Sequence, residues 1–409
     1  MVLVALLSAR NAARDGFQPL VSSALLDFGG QTLIEYQARL ALGAGAAKLV
    51  IHADAAGADV DLPELTRMAD HVAREADCPV EVVRDMTELS RSIAPDDLVL
   101  LIAEGTVIPS EALDALSAVE GEVVLALPSV ASTASFERLD ANSMWGGAFC
   151  VSGARLLSTL DMLGEWDLVL TLLRRAVQDG VERIMLPPEP VLQGRLAFLS
   201  DQASADLALD ALSDYAPDAG RGAGGGVAAL LAPISRTLLR ELMHRQAEPG
   251  HIALIAILLS AGAIALGLSA WTFPALLIML PALGIAALAE RYAQLTLRAT
   301  GRRWQAGAVQ GGALLLLGVI GIRAAGAEPL ALTTVLFVLL FLALFTFAAE
   351  RVPPAAPWLT QFRPGVPAAL LLVLAGVIVG YVGIAFALLG WVLAGLAAMR
   401  LFHVGKAEL

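Results

Sequence analysis

The chain has 409 residues, 57% of them hydrophobic, and a mean hydropathy of +0.71, which suits a soluble domain joined to a membrane domain. Up to Gly220 there are 14 Lys and Arg against 33 Asp and Glu, net −19; beyond it there are 13 against 6, net +7. An acidic domain of this kind is repelled by nucleic acid, which excludes that partner, while a basic anchor is held to the bilayer.

The chain opens with an apolar stretch, Met1–Leu7. It lacks a basic leader and is too short for a signal peptide, so it reads as a strand over Val2–Leu7. Thr32-Leu33-Ile34-Glu35 is a capping box at the head of a helix. Leu33, Tyr36, Leu40 and Ala44 mark its buried face, and Gly43 and Gly45 stop it. Lys48–His52 is the next strand, and strand-like runs recur at Val80–Val83, Leu98–Ile102 and Glu122–Leu127. Helical stretches Leu62–Glu75 and Ser110–Ala118 lie between them. This alternation predicts a mostly parallel sheet with helices on both faces, and ligands on such sheets sit at the carboxyl ends of strands. His52 and Asp54 fall at that edge. Asp96-Asp97 reads as a solvated turn and His71 as a surface residue. Asp167 reads as a helix cap, with Trp166 packed beside it as an anchor. Cys78 and Cys150 form neither a metal cluster nor a disulfide framework and read as two buried thiols in a reducing compartment.

Ala216–Gly226 contains Pro217 and the run Gly220-Arg221-Gly222-Ala223-Gly224-Gly225-Gly226. It reads as a flexible linker and a domain boundary. Residues 227–247 carry Val227, Leu230, Leu231, Ile234, Leu238 and Leu242 on one side and Arg236, Arg240, Glu241 and Arg245 on the other. That pattern predicts an amphipathic helix in the headgroup layer. Residues 248–409 then hold six apolar runs: Ile252–Ala270, Pro274–Glu290, Gly307–Ile322, Leu330–Ala348, Val366–Val382 and Ile384–Leu401. Each is roughly the length needed to cross a hydrocarbon core of about 30 Å as a helix. The segments before the first run, between the second and third, between the fourth and fifth, and after the sixth carry twelve basic residues; the opposite loops carry only Arg323. The bias predicts six spans with both termini cytoplasmic.

Leu25-Leu26-Asp27-Phe28-Gly29-Gly30-Gln31-Thr32-Leu33-Ile34-Glu35-Tyr36-Gln37 resembles the segment that follows the phosphate loop in sugar-phosphate and alcohol-phosphate nucleotidyltransferases. Glu165-Trp166-Asp167 through Leu172-Leu173-Arg174-Arg175-Ala176-Val177-Gln178-Asp179-Gly180 is similar to a block of their membrane-fused members. The resemblance covers roughly the first 200 residues and implies a GT-A-like, Rossmann-like fold. It also implies a glycine-rich loop after the first strand, whose backbone N–H groups meet the triphosphate. Here that loop is Ser8-Ala9-Arg10-Asn11-Ala12-Ala13-Arg14, with Arg10 and Ala12 in the glycine places and Arg14 retained. The family's phosphate-neutralising lysine corresponds to Ser23, and its Mg²⁺-holding aspartate to Glu104. Asp140 is a candidate second metal ligand by position. Arg10, Arg14 and Ser23 are thus the candidate nucleotide- or phosphate-binding residues, Glu104 and Asp140 the candidate metal ligands, and Mg²⁺ the cofactor the resemblance allows.

The layout also resembles bifunctional proteins that make a CDP-activated polyol phosphate and pass it to a CDP-alcohol phosphatidyltransferase domain. The second domain's motif holds two metals on several aspartates. This chain has no aspartate beyond Asp218. Between the second and third runs it offers Glu290-Arg291-Tyr292, Gly301-Arg302-Arg303 and Gln305. Arg291, Arg298, Arg302 and Arg303 are candidates for gripping an anionic lipid headgroup.

The sequence therefore predicts an α/β, Rossmann-like nucleotidyltransferase sandwich over residues 1–215, cytoplasmic, followed by an all-α six-helix transmembrane domain. The leading functional expectation is a degenerate, non-catalytic or weakly active nucleotidyltransferase-like protein of a bacterial inner membrane. It would be linked to phospholipid or polyol-phosphate headgroup metabolism, with NTP, polyol phosphate or other membrane enzymes as partners. The alternatives are an active Mg²⁺-dependent nucleotidyltransferase with an altered loop, and a structural scaffold subunit. No catalytic residue is assigned.

Overall fold

The computed structural model describes residues 2–9, 23–53, 62–163, 166–215, 238, 241–242, 249–297, 303–347 and 365–407. The chain divides into two compact units, Met1–Tyr215 and Ala216–Leu409.

The first unit is built on a seven-stranded sheet. Its strands are β1 (Leu3–Ala9), β2 (Lys48–Ala53), β3 (Val80–Val83), β4 (Leu98–Ile102), β6 (Val123–Pro128), β7 (Ser143–Ser152) and β8 (Glu182–Met185). A two-stranded ribbon pairs β5 (Thr106–Val107) with β9 (Ala197–Phe198). The order across the main sheet is β3-β2-β1-β4-β7-β6-β8. Four pairings are parallel, and the two that β7 makes are antiparallel. The strands Val80–Val83 and Leu98–Ile102 match the sequence reading residue for residue.

β7 was not foreseen. It is the longest strand, and nine of its ten residues are buried. Gly146-Gly147 stands in its middle, a dipeptide more common in turns than in strands. In the fold these glycines let β6 and β5 approach: a Cβ on Gly146 would stand 2.9 Å from a Leu125 side-chain carbon, and one on Gly147 2.6 Å from Thr106. Strand interiors take glycine where another chain segment comes this close.

Helix α1 (Leu33–Gly43) carries the expected capping box, with both the Thr32 and the Glu35 bonds present. It is buried more widely than one face, since Gln37, Ala38, Arg39 and Ala41 are buried alongside Leu33, Tyr36 and Leu40. α2 (Leu62–Ala76), α3 (Met86–Ser92), α4 (Ser110–Ser117), α5 (Gly153–Leu160), α6 (Leu168–Gln178), α7 (Glu189–Leu192) and α8 (Gln202–Tyr215) complete the unit. Asp167 caps α6 through the Leu170 N–H at 2.8 Å. Trp166 beside it is 71% exposed, so the packed anchor expected there is corrected to a solvent-facing indole. His71 is at the surface. Asp97 closes its turn on the Ala94 N–H at 2.8 Å. Both cysteines are free; Cys150 is buried, and burial pushes its thiol up to about 12, whereas Cys78 is only half-buried.

At the amino edge of the sheet, Glu122 accepts from Arg155 Nε at 2.9 Å and from the Ser152 hydroxyl at 2.7 Å. Arg155 also pairs with Asp179. This ties β6, β7, α5 and the end of α6 together.

The second unit is helical: Pro249–Leu268, Thr272–Leu295, Arg303–Ala325, Pro329–Phe347, Val366–Val379 and Val382–Ala407. The first three are long and apolar enough to cross a membrane. Three shorter apolar stretches follow in the remaining helices. Val366–Val379 has 14 residues, a rise of about 21 Å, because Gly380 turns into the left-handed region at φ +85 and ends it. Leu276, Met279, Leu317, Val338, Leu370, Val373, Phe386 and Leu393 are among the buried residues of the core between the helices. Small residues permit close approach, as lipid-embedded packing requires: a Cβ on Gly321 would lie 2.6 Å from Val335 and 2.9 Å from Phe386. The linker over 216–226 lies outside the described residues, as does the 227–247 helix apart from Leu238, Glu241 and Leu242.

Arg323, the exception to the basic-residue bias, has a structural use. Its guanidinium donates to the carbonyls of Gly267, at 3.0 Å, and of Leu268. These are the last carbonyls of Pro249–Leu268, which have no partner within their own helix, and a cation there also complements the helix dipole.

Two outcomes follow. Arg323→Leu should lower the stability of the helical unit in bilayer nanodiscs by about 1–3 kcal/mol, because the Leu268 carbonyl loses its donor while the Gly267 carbonyl keeps the Ala270 N–H at 3.2 Å, with Arg323→Lys in between; unchanged stability in Arg323→Leu would refute the capping role. For Glu122, burial raises the carboxyl pKa, but the bonds from Arg155 and Ser152 outweigh it, and the net value is below the ordinary 4.5. A lowered folded-state value stabilises above the ordinary pKa and is lost as pH falls through the folded one. The wild-type melting temperature should therefore drop below about pH 4.5 more steeply than that of Glu122→Gln, and parallel pH profiles would contradict this.

Candidate functional site

In the first unit β1 has β2 on one side and β4 on the other. In sequence β2 follows β1 on one side, and the main-sheet strands that follow β4 lie on its other side; open sheets of this kind hold ligands in the crevice at the carboxyl ends of the strands where the order reverses. The register sets Leu7 opposite Ile102, which brings Ala9 and Glu104 to the same level.

Glu104 stands on a tight turn between β4 and β5. The Thr106 N–H closes the turn on the Ala103 carbonyl at 3.3 Å. Gly105 takes φ +72, the left-handed value that the third residue of a type II turn needs. The turn is held from three directions. The Ala103 N–H donates to the Gly147 carbonyl of β7 at 2.8 Å, and the Leu199 N–H donates to the Gly105 carbonyl at 2.6 Å. Gln37 of α1 donates its side-chain amide to the carbonyls of Ala103, at 2.9 Å, and of Thr106, at 2.8 Å.

The segment Ser23–Thr32 forms the facing wall. It begins with a single 3-10 turn, Ser23–Leu25. Phe28 is buried edge-on against Tyr36 at 4.8 Å. Asp27 holds the Gly30 N–H at 3.1 Å, and the Leu33 N–H returns to the Leu26 carbonyl at 2.9 Å. Arg39 ties the wall to the body: it is buried, bonds Gln31, and pairs with Glu75 of α2 at 2.7 Å. Gln202, the first residue of α8, makes a bidentate contact with the Asp27 backbone, accepting from its N–H at 3.1 Å and donating to its carbonyl at 2.9 Å.

The structure brings two of the candidates together. The Ser23 hydroxyl donates to Glu104 Oε1 at 3.3 Å, across 81 residues of sequence. Asp140 is committed elsewhere, in the turn before β7. The Arg183 guanidinium, then the Asn142 N–H at 2.8 Å and Ser143, hold its carboxyl well below the usual range. Among the described residues no group of three or more His, Cys, Asp and Glu is placed to hold a metal ion. Arg10 and Arg14 lie outside the described residues, as does Asp54; His52 is buried at the end of β2. In the helical unit, Arg291 is half-buried within Thr272–Leu295 rather than in a loop, Arg303 is the first residue of its helix, and Arg298 and Arg302 lie outside the described residues.

Three contributors were not foreseen: Gln37, Gln202 and the strap that runs through Leu199. Gln37 had a signal, since it follows Leu33 by one turn on a face otherwise read as apolar. Gln202 and Leu199 had none, because their partners are distant in sequence.

No protein-family model matches the sequence, and no curated protein matches it. Among solved structures, the chain is similar to the inositol-1-phosphate CTP transferase from T. maritima, at 14% identity and a TM-score of 0.36, over 51% of this chain and 96% of that one.

Gly105 gives the turn a direct test. A Cβ there would sit 2.7 Å from the Leu199 carbonyl oxygen, whereas Gly180, at a similar φ of +74, has open space. Gly180→Ala should cost about 1 kcal/mol through backbone strain alone. Gly105→Ala should cost about 2–4 kcal/mol, because the strap must also move. Equal losses in the two variants would show that the strap does not constrain the turn.

Proposed function

We propose that this chain is a membrane protein whose α/β unit is a degenerate, nucleotidyltransferase-like domain, non-catalytic or weakly active. It binds a phosphate-bearing ligand, a nucleotide or a polyol phosphate, at the crevice between β1 and β4. It does so in connection with phospholipid or polyol-phosphate headgroup metabolism at a bacterial inner membrane. The helical unit crosses the bilayer six times, with both termini on the cytoplasmic side. Three helices of sufficient length and the arginine bias support this topology.

The observation that carries the reading is the Ser23–Glu104 contact. It stands where the resemblance expects a lysine and a metal-holding aspartate. Electrostatic stabilisation of a transferring phosphoryl group depends on cations and metals aimed at the developing charge. A hydroxyl in place of an ammonium keeps a hydrogen-bonding crevice and removes one such charge. Asp140 pairs with Arg183, which competes with a metal for that carboxylate.

One feature favours the rival reading, an active Mg²⁺-dependent nucleotidyltransferase. Glu104 is a carboxylate on a turn fixed by several elements, which is how a metal ligand is normally supported. The Mg²⁺ would then be held by Glu104 and by oxygens of its own ligand.

The test is a thermal-shift series on the full-length protein in nanodiscs, with each NTP and Mg²⁺, followed by an assay for pyrophosphate release. A ligand at ten times its Kd should stabilise the first unit by about 1.4 kcal/mol, and Glu104→Gln should reduce that shift. A shift without turnover supports the proposal. Turnover lost in Glu104→Gln and in Arg14→Ala would establish the enzyme instead. No shift with any nucleotide or polyol phosphate, together with captured membrane partners, would favour a scaffold subunit.

A further inference from the structure

Gln37 is the most unusual polar group near the crevice. Its side chain has no solvent exposure and lies in the middle of α1, among Leu33, Ile34, Tyr36, Leu40 and Ala41. A buried side-chain amide carries a desolvation penalty that only hydrogen bonds offset. Gln37 recovers half of it. Its Nε2 donates to the Ala103 and Thr106 carbonyls, while its Oε1 is buried with no hydrogen-bond partner. An apolar residue of the same size would fill the site without an orphaned acceptor, so packing does not account for a glutamine.

The position of the two bonds does. Ala103 and Thr106 are the residues that flank Glu104 and Gly105. Among the described residues, the Ala103 carbonyl otherwise accepts only the 3.3 Å turn bond from the Thr106 N–H. Gln37 therefore grips both ends of the turn from beneath, while the Leu199 N–H grips its middle at 2.6 Å. Between the two gripped ends stands Glu104, bonded to Ser23.

We propose that Gln37 is the positioning residue of the crevice: a buried amide that fixes the direction of the Glu104 carboxylate by holding both ends of its turn. The effect on any ion held by Glu104 rests on the Mg²⁺-binding reading above; the effect on the turn does not. Glutamate in its place would set an acceptor against two carbonyls, and methionine would keep the volume with no donor.

The experiment is hydrogen–deuterium exchange on the full-length protein in nanodiscs, paired with Mn²⁺ titration followed by electron paramagnetic resonance. Thr159→Val serves as the control: Thr159 is buried and hydrogen-bonded to Arg155 and Arg175, in α5 rather than at the crevice. Gln37→Met should raise exchange about tenfold in peptides covering 103–107 and 197–200, and leave α6 as in the wild type. Gln37→Glu provides the same test if the methionine variant folds poorly. Thr159→Val should lower the melting temperature without that local change. Mn²⁺ binding should weaken about tenfold in Gln37→Met, the scale seen when a ligand's supporting residue is removed, and be lost in Glu104→Gln. Turn exchange that stays at the wild-type level, or rises equally throughout the unit, would overturn the proposal. If the wild type takes up no Mn²⁺, the ion-binding reading of Glu104 falls, and the exchange data alone decide the role of Gln37.

Discussion

The hydrogen bond from the Leu199 N–H to the Gly105 carbonyl joins parts of the chain that are 94 positions apart. It sets the strap after β9 onto the turn after β4. Around it, Phe198 packs on Phe136 at 5.1 Å and on Trp145 at 6.3 Å, so the strap is held by aromatic contact as well as by the ribbon it forms with β5. Gln202, three residues further on, then reaches the Asp27 backbone. One short segment thereby sets both walls of the crevice, and the Ser23–Glu104 contact depends on both walls being in place.

Much of the α/β unit was legible because its signals are local. The Thr32 capping box, the Asp167 cap and the all-apolar strand Leu98–Ile102 depend on neighbours within four residues. β7 was not legible, because Gly146 and Gly147 carry a local turn signal that a tertiary requirement overrides. Trp166 was misread for a related reason: a large aromatic residue is normally buried, and nothing in its own segment says otherwise. The crevice was half legible. Resemblance pointed to Ser23 and Glu104, which the fold brings together, but the side-chain bonds that position them come from α1 and α8 and leave no pattern along the chain. Asp140 is a candidate by its place in the sequence alone, and its pairing with Arg183 leaves no local signal.

In the helical unit, length and hydropathy carried most of the information. The helices run a few residues beyond the apolar runs at several ends, since a helix does not stop where its hydrophobic stretch does. Thr272–Leu295 continues through Glu290, Arg291 and Tyr292, a stretch that reads as a loop by charge alone. Arg323 shows the limit of counting charges. A side chain used to satisfy the end of a neighbouring helix says less about which side of a bilayer it faces than a free one does.

The seven-stranded sheet is finished at both margins by β3 and β8, each of only four residues. Both expose acidic or basic side chains, Glu81 on one and Glu182 on the other. Unpaired margins of this kind are poor templates for strand addition, being too short and too charged to recruit a neighbour. Two copies that meet edge to edge therefore lack a template for zipping into a continuous ribbon.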